Sequence, residues 1–115
     1  MSEVERLFRD GKAFSIPPLR IVYALPDDQK SVPLRVLITV SSRRFKKAVD
    51  RNRIRRKIRE AYRLNKKGLY KRLLEKGSRM IVGIIYIGND AAPDFSLIES
   101  SLVSGLGRLE RNELG

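Results

Sequence analysis

Apolar positions along the chain change their period several times, and each change marks a new element. Val4, Leu7 and Phe8 recur at i, i+3 and i+4, which predicts a short amphipathic helix ended by Gly11. Ser2 and Glu5 supply its S-x-x-E capping box. Pro17-Pro18 excludes a helix, and Leu19 to Leu25 is β-branched and aromatic in the manner of a strand. The residues just before the prolines suit a short edge strand. Pro26-Asp27-Asp28 is turn chemistry and Leu34 to Val40 is another β-rich run, so the two runs are expected to pair as an antiparallel hairpin.

After Ser41-Ser42 the period becomes helical, most clearly from Asp50 to Asn65. At about 100° per residue, Ile54, Ile58, Ala61 and Tyr62 fall in one stripe roughly 100° wide, which must face a core. Asn65 to Gly68 looks like a helix end, and Leu69 to Lys76 a further short helix stopped by Gly77. Met80 to Ile87 is almost uninterrupted in apolar residues, as in a central strand buried on both faces. Asp94 then caps a last helix whose Phe95, Ile98, Leu102, Leu106 and Leu109 recur at three- and four-residue steps. The expected fold is a single α+β domain over residues 1–115, a two-layer sandwich of helices on a mixed sheet in the order α-β-β-β-α-α-β-α.

Composition removes many functions. The chain has 115 residues, no Cys and no His, so disulfides, Cys/His zinc sites, Ser-His-Asp or Cys-His catalysis and imidazole bases are all excluded. No apolar run approaches the roughly 18 residues that span a bilayer, and the acidic start is unlike a signal peptide. No membrane association is expected, and the expected compartment is the cytoplasm.

Charge changes the picture most. The net charge is +12, and residues 43–72 hold 15 of the 25 cations against two acids, Asp50 and Glu60, so the rest of the chain is close to neutral. On the helix from Asp50, the side opposite the apolar stripe carries Asn52, Arg53, Arg56, Arg59, Glu60 and Arg63, with Arg51, Arg55 and Lys57 on the flanks. Like charges at i, i+4, such as Arg51, Arg55, Arg59 and Arg63, repel by about 0.2–0.5 kcal/mol per pair, a cost that a phosphate-bearing partner removes. Arg outnumbers Lys six to one between residues 51 and 63, and Arg forks match phosphate oxygens two at a time. The pattern points to a polyanion-binding surface. A DNA module would need a short helix-turn-helix, zinc ligands or leucine heptads, none of which is present. Phe8, Phe14 and Tyr23 offer stacking surfaces for single-stranded RNA, although a Phe at helical spacing is more often core.

Lys47-Ala48-Val49-Asp50-Arg51-Asn52-Arg53-Ile54-Arg55-Arg56-Lys57-Ile58-Arg59-Glu60-Ala61-Tyr62-Arg63 resembles the arginine-asparagine-arginine signature helix of the protein component of bacterial ribonuclease P. Leu7-Phe8-Arg9-Asp10-Gly11, the strand running into Ser41-Ser42-Arg43-Arg44, and the late apolar strand and helix support the resemblance, which covers roughly Val4 to Leu109. Two positions depart from the pattern: Val4 stands where the family usually has an aromatic residue, and Lys46 where it commonly has Gly.

The resemblance implies a ribosomal protein S5 domain 2-like fold with a left-handed β-α-β crossover. It further implies a subunit of a ribonucleoprotein endonuclease that removes the 5′ leader of precursor tRNA, in which the RNA subunit carries out Mg2+-dependent phosphodiester hydrolysis and holds the metal. No catalytic residue and no metal site are then expected in the protein. By matching position, Arg51, Asn52, Arg53, Arg55, Arg56 and Arg59 would contact RNA, with Arg43, Arg44, Lys47 and Arg63 extending the surface, and Phe8 and Tyr23 would line the leader cleft. The partners would be the ribonuclease P RNA subunit and precursor tRNA. The competing readings are a ribosomal-type structural RNA-binding protein and a DNA-bending protein.

Overall fold

The computed structural model describes residues 3–26 and 32–113. Ser2 of the expected capping box, and Asp27 and Asp28 of the expected turn, lie outside the described residues. The elements are α1 (Glu3–Asp10), β1 (Lys12–Ile16), β2 (Leu19–Ala24), β3 (Leu34–Val40), α2 (Ala48–Asn65), α3 (Lys67–Lys76), β4 (Met80–Tyr86) and α4 (Phe95–Glu113). Their order is the expected one. α2 begins two residues earlier than the periodicity suggests, and α3 also begins two earlier, because the backbone at Lys66 keeps right-handed helical angles and Tyr70 N donates to Lys66 O at 2.9 Å. Gly77 ends α3 in the left-handed region at φ 62°, with Ser78 N donating to Leu73 O at 2.9 Å.

The four strands lie in the order β1-β2-β4-β3. β1 and β2 form a hairpin around Pro17 and Pro18, whose peptide bond is cis. The expected hairpin of β2 with β3 is not formed. β4 lies between them, antiparallel to β2 (Tyr23 opposite Val82) and parallel to β3 (Val36 opposite Val82). Two physical facts explain this. The 25–33 segment exceeds the two to five residues of most hairpin loops. β4 is also the most apolar strand, with Met80, Ile81, Val82, Ile84 and Tyr86 all buried, so a central place covers both its faces and pairs both its edges.

Alternation along the strands divides the core in two. On one face Leu19, Ile21, Val82, Ile84 and Tyr86 meet Ile54, Ile58, Ala61 and Tyr62 of α2, Leu69 and Leu73 of α3, and Ile98, Leu102, Leu106 and Leu109 of α4. On the other face, Leu7 of α1 packs on Val22 and Ile81. Ile54, Ile58, Ile98 and Leu102 are wholly buried, each contributing about 1.5–3 kcal/mol relative to exposure. Ser101 Oγ donates to Ile16 O and so ties α4 to the outer strand β1.

Candidate nucleic-acid interface

α2 is amphipathic in the strict sense. Its apolar stripe is 0–8 % exposed, and this burial, not local propensity, fixes which way the arginines face. Asn52, Arg53, Arg56, Arg59, Glu60 and Arg63 are exposed, while Arg51, Arg55 and Lys57 on the flanks are half-buried. Acid lies where the helix dipole favours it, since Asp50 is in the first turn, with Arg53 Nη1 at 3.7 Å.

The ten residues expected to contact RNA differ in how far their side chains are already engaged within the fold. Five are drawn into local structure. Arg51 Nη1 donates to the carbonyls of Phe45 and Lys46 at 2.8 and 2.9 Å, closing the loop that leads into α2. Arg44 Nη1 donates to Ile87 O at 2.9 Å and its Nη2 to Asn89 Oδ1, joining the same loop to the exit of β4. Arg55 Nη1 donates to Asn52 Oδ1 at 3.2 Å, and Arg63 forks onto Glu60 at 2.6 and 3.1 Å. That fork holds the Glu60 carboxyl below its ordinary pKa and raises the guanidinium of Arg63. The side chains of Arg43, Lys47, Arg56 and Arg59 have no hydrogen bond or ion pair among the described residues and keep all their donors for a partner. Arg53 has only its long contact with Asp50.

Sequence patterns overlooked the loop after β4. Lys57 Nζ donates to Pro93 O, Tyr86 Oη donates to Asp90 O at 2.7 Å, and the Tyr86 ring packs 5.7 Å from that of Phe45. Residues 87–93 therefore brace the loop that leads into α2 and the middle of the helix, a role that an isolated Gly-Asn-Asp run does not signal.

The two aromatic residues expected in one cleft lie on opposite faces of the sheet. Phe8, 42 % exposed, reaches over Gly83: a Cβ there would stand 3.6 Å from Phe8 Cζ and 3.3 Å from Leu7 Cδ2. The missing side chain lets α1 settle close to the strands. Tyr23 points to the other face, edge-on to Phe14 with ring centroids 6.2 Å apart. It borders a hollow of about 410 Å3 with Gly11, Lys12, Arg79 and Met80. The sheet face under Phe8 also carries Arg20, which donates to Ser15 Oγ at 3.2 Å, and Arg35, in register with Ile85 and Ile81 respectively. Both were legible as lone cations at alternating positions of apolar strands.

Asp50 and Glu60, the acids of α2, each face an arginine, and among the described residues no group of three acidic, His or Cys side chains gathers to hold a metal. A divalent cation is repelled from such a surface, so these residues do not fit a Mg2+ site. No helix of the described residues is long and apolar enough to cross a membrane.

The chain is similar to known proteins in sequence and in fold. The family model of ribonuclease P matches residues 1–110. A ribonuclease P protein component from Porphyromonas gingivalis is 37 % identical over 110 residues, covering 96 % of this chain and 80 % of the relative. One from Chlorobaculum tepidum is 36 % identical over 121 residues, covering 98 % and 79 %. In fold, the chain is similar to the RNase P protein of Thermotoga maritima, with a TM-score of 0.69 at 20 % identity over 92 % of this chain and 90 % of that one. The Staphylococcus aureus RNase P protein gives 0.68 at 20 % identity over 96 % and 89 %. With its signature helix presented outward on a mixed four-stranded sheet, the chain belongs to the ribonuclease P protein family.

Proposed function

We infer that the protein is the RNA-docking subunit of a ribonuclease P, binding the catalytic RNA through the outward face of α2 and promoting Mg2+-dependent removal of the 5′ leader from precursor tRNA. The observation that carries this is the set of exposed cations, Arg43, Lys47, Arg56 and Arg59, that have no internal partner. Each phosphate they neutralise releases counterions, which yields strong and salt-sensitive affinity. Screening where two RNAs approach each other lowers their repulsion, so less Mg2+ is needed to hold the complex.

The protein's part is positioning and charge neutralisation; the metal and the bond cleavage belong to the RNA. Phe8, exposed above a sheet face that also carries Arg20 and Arg35, offers a stacking surface with nearby cations for the single-stranded leader. Tyr23, on the opposite face, is not part of that surface.

Reconstitution with a bacterial ribonuclease P RNA and a precursor tRNA at limiting Mg2+ tests the reading. Cutting at the mature 5′ end is expected to be stimulated by the wild-type protein and lost with Arg53→Glu/Arg56→Glu. Undiminished stimulation by that variant would refute it.

A further inference from the structure

The free edge of the sheet and the C-terminal half of α2 enclose a groove that the outward arginine face does not explain. Val36, Leu37 and Ile38 of the outer strand β3 form one side, Arg59, Tyr62, Arg63 and Lys66 the other, around about 420 Å3. That is within the range of roughly 300–1,000 Å3 typical of ligand sites.

Tyr62 gives the groove its chemistry. The residue is only 8 % exposed and its ring belongs to the core, yet its hydroxyl has no hydrogen-bond partner among the described residues. Buried polar groups are rarely left unpaired, so a donor that borders a groove points to a ligand there. Burial pushes the Tyr62 pKa up, so the hydroxyl stays protonated at neutral pH. Lys66 Nζ lies 5.6 Å from the ring centroid. Arg63, which lines the groove, also pairs with Glu60 at 2.6 Å. An edge strand adds outward backbone N–H groups. The groove thus combines a hydroxyl donor, amide donors and cations, and among the described residues no carboxylate lines it. Arg59 and Arg63 belong both to this groove and to the outward face, which makes the two surfaces continuous.

We propose that this groove binds a phosphodiester of an RNA strand leaving the outward face of α2, with the Tyr62 hydroxyl donating to a phosphate oxygen between Arg59 and Lys66. The anion chemistry stands on the groove itself; RNA as its bearer rests on the functional reading above.

The test uses the full chain titrated with a ten-nucleotide single-stranded RNA at several salt concentrations. Tyr62→Phe keeps the buried ring and removes only the hydroxyl, so binding should weaken by about tenfold with the salt slope unchanged, because no charge is lost. Lys66→Gln should lower that slope by about 0.7. Amide shifts at Val36 to Ile38 should move on addition of the RNA. The thermal midpoint of Tyr62→Phe should not fall, since the hydroxyl has no internal partner to lose.

Affinity unchanged by Tyr62→Phe, or shifts confined to the outward face, would overturn the proposal. So would equal, Tyr62-dependent binding of a polyglutamate peptide, which would make the groove a site for acidic peptides. Reconstituted cleavage separates the two inferences: stimulation retained by a Tyr62→Phe protein that binds RNA like wild type leaves the functional reading intact and removes the groove. Tyr62-dependent RNA binding without any stimulation of cleavage does the reverse.

Discussion

Arg44 and Arg51, at the start of the basic segment, and Arg56 and Arg59, in the middle of α2, are the same residue type doing different work. The first pair spends its guanidinium donors on main-chain carbonyls of Phe45, Lys46 and Ile87 and on Asn89. The second pair has no such contact among the described residues. A count of cations therefore overstates the number of phosphate contacts, because some arginines build the platform on which others stand. Arginine suits both tasks, since its planar fork can bridge two carbonyls as readily as two phosphate oxygens.

Substitutions can break this distinction at several points. The largest effect is expected beneath both groups: Ile58→Ala opens a cavity under α2 and should destabilise the fold by about 2–5 kcal/mol in denaturant unfolding. At temperatures where that variant is still folded, its salt slope for RNA binding should match wild type.

Removing the partner-free pair comes next. Arg56→Gln/Arg59→Gln should reduce the slope of log K against log salt by about 1.4–1.8, with the thermal midpoint nearly unchanged. A loss of stability with an intact slope would reverse the assignment. Arg44→Gln should do the opposite: a stability loss of about 1–3 kcal/mol, for breaking hydrogen bonds of a charged donor to the loop after β4, with the slope preserved.

The smallest effect is expected from pH. The chain contains no His and no Cys, so no side chain with an ordinary pKa titrates between pH 6 and 8, and RNA affinity should vary there by less than about twofold. Only in acid does one contact respond. Glu60 has a lowered pKa, so its pairing with Arg63 is present above the ordinary carboxylate range and is lost as pH falls through the depressed value. Proton uptake there would free the Arg63 fork and tighten RNA binding, measurable as a small rise in affinity in acid.

The sequence was most informative where one physical demand dominated. The apolar stripe of Ile54, Ile58, Ala61 and Tyr62 left α2 a single way to face, and the doubly apolar run from Met80 had to be central. Strand partnership was less legible: nothing local to β2 or β3 shows that β4, more than forty residues further along than β3, will separate them. The role of the loop after β4 was hidden for the same reason, since Asn89 and Pro93 act through contacts 45 and 36 residues distant in sequence. Phe8 and Tyr23 show the limit of transfer by position, because a matching residue type does not say which side of a sheet it points to.

The place of β4 between β2 and β3 also sets a timetable for synthesis. At about 5–20 residues per second, the ribosome delivers β2 and β3 several seconds before the strand that joins them. In the later part of that interval α2 has been made but its apolar stripe lacks the β4 and α4 side chains against which it is buried. The nascent chain thus presents its arginines to a nucleic-acid-rich surrounding before it has a core, and the sheet closes only once residues 80–86 have emerged.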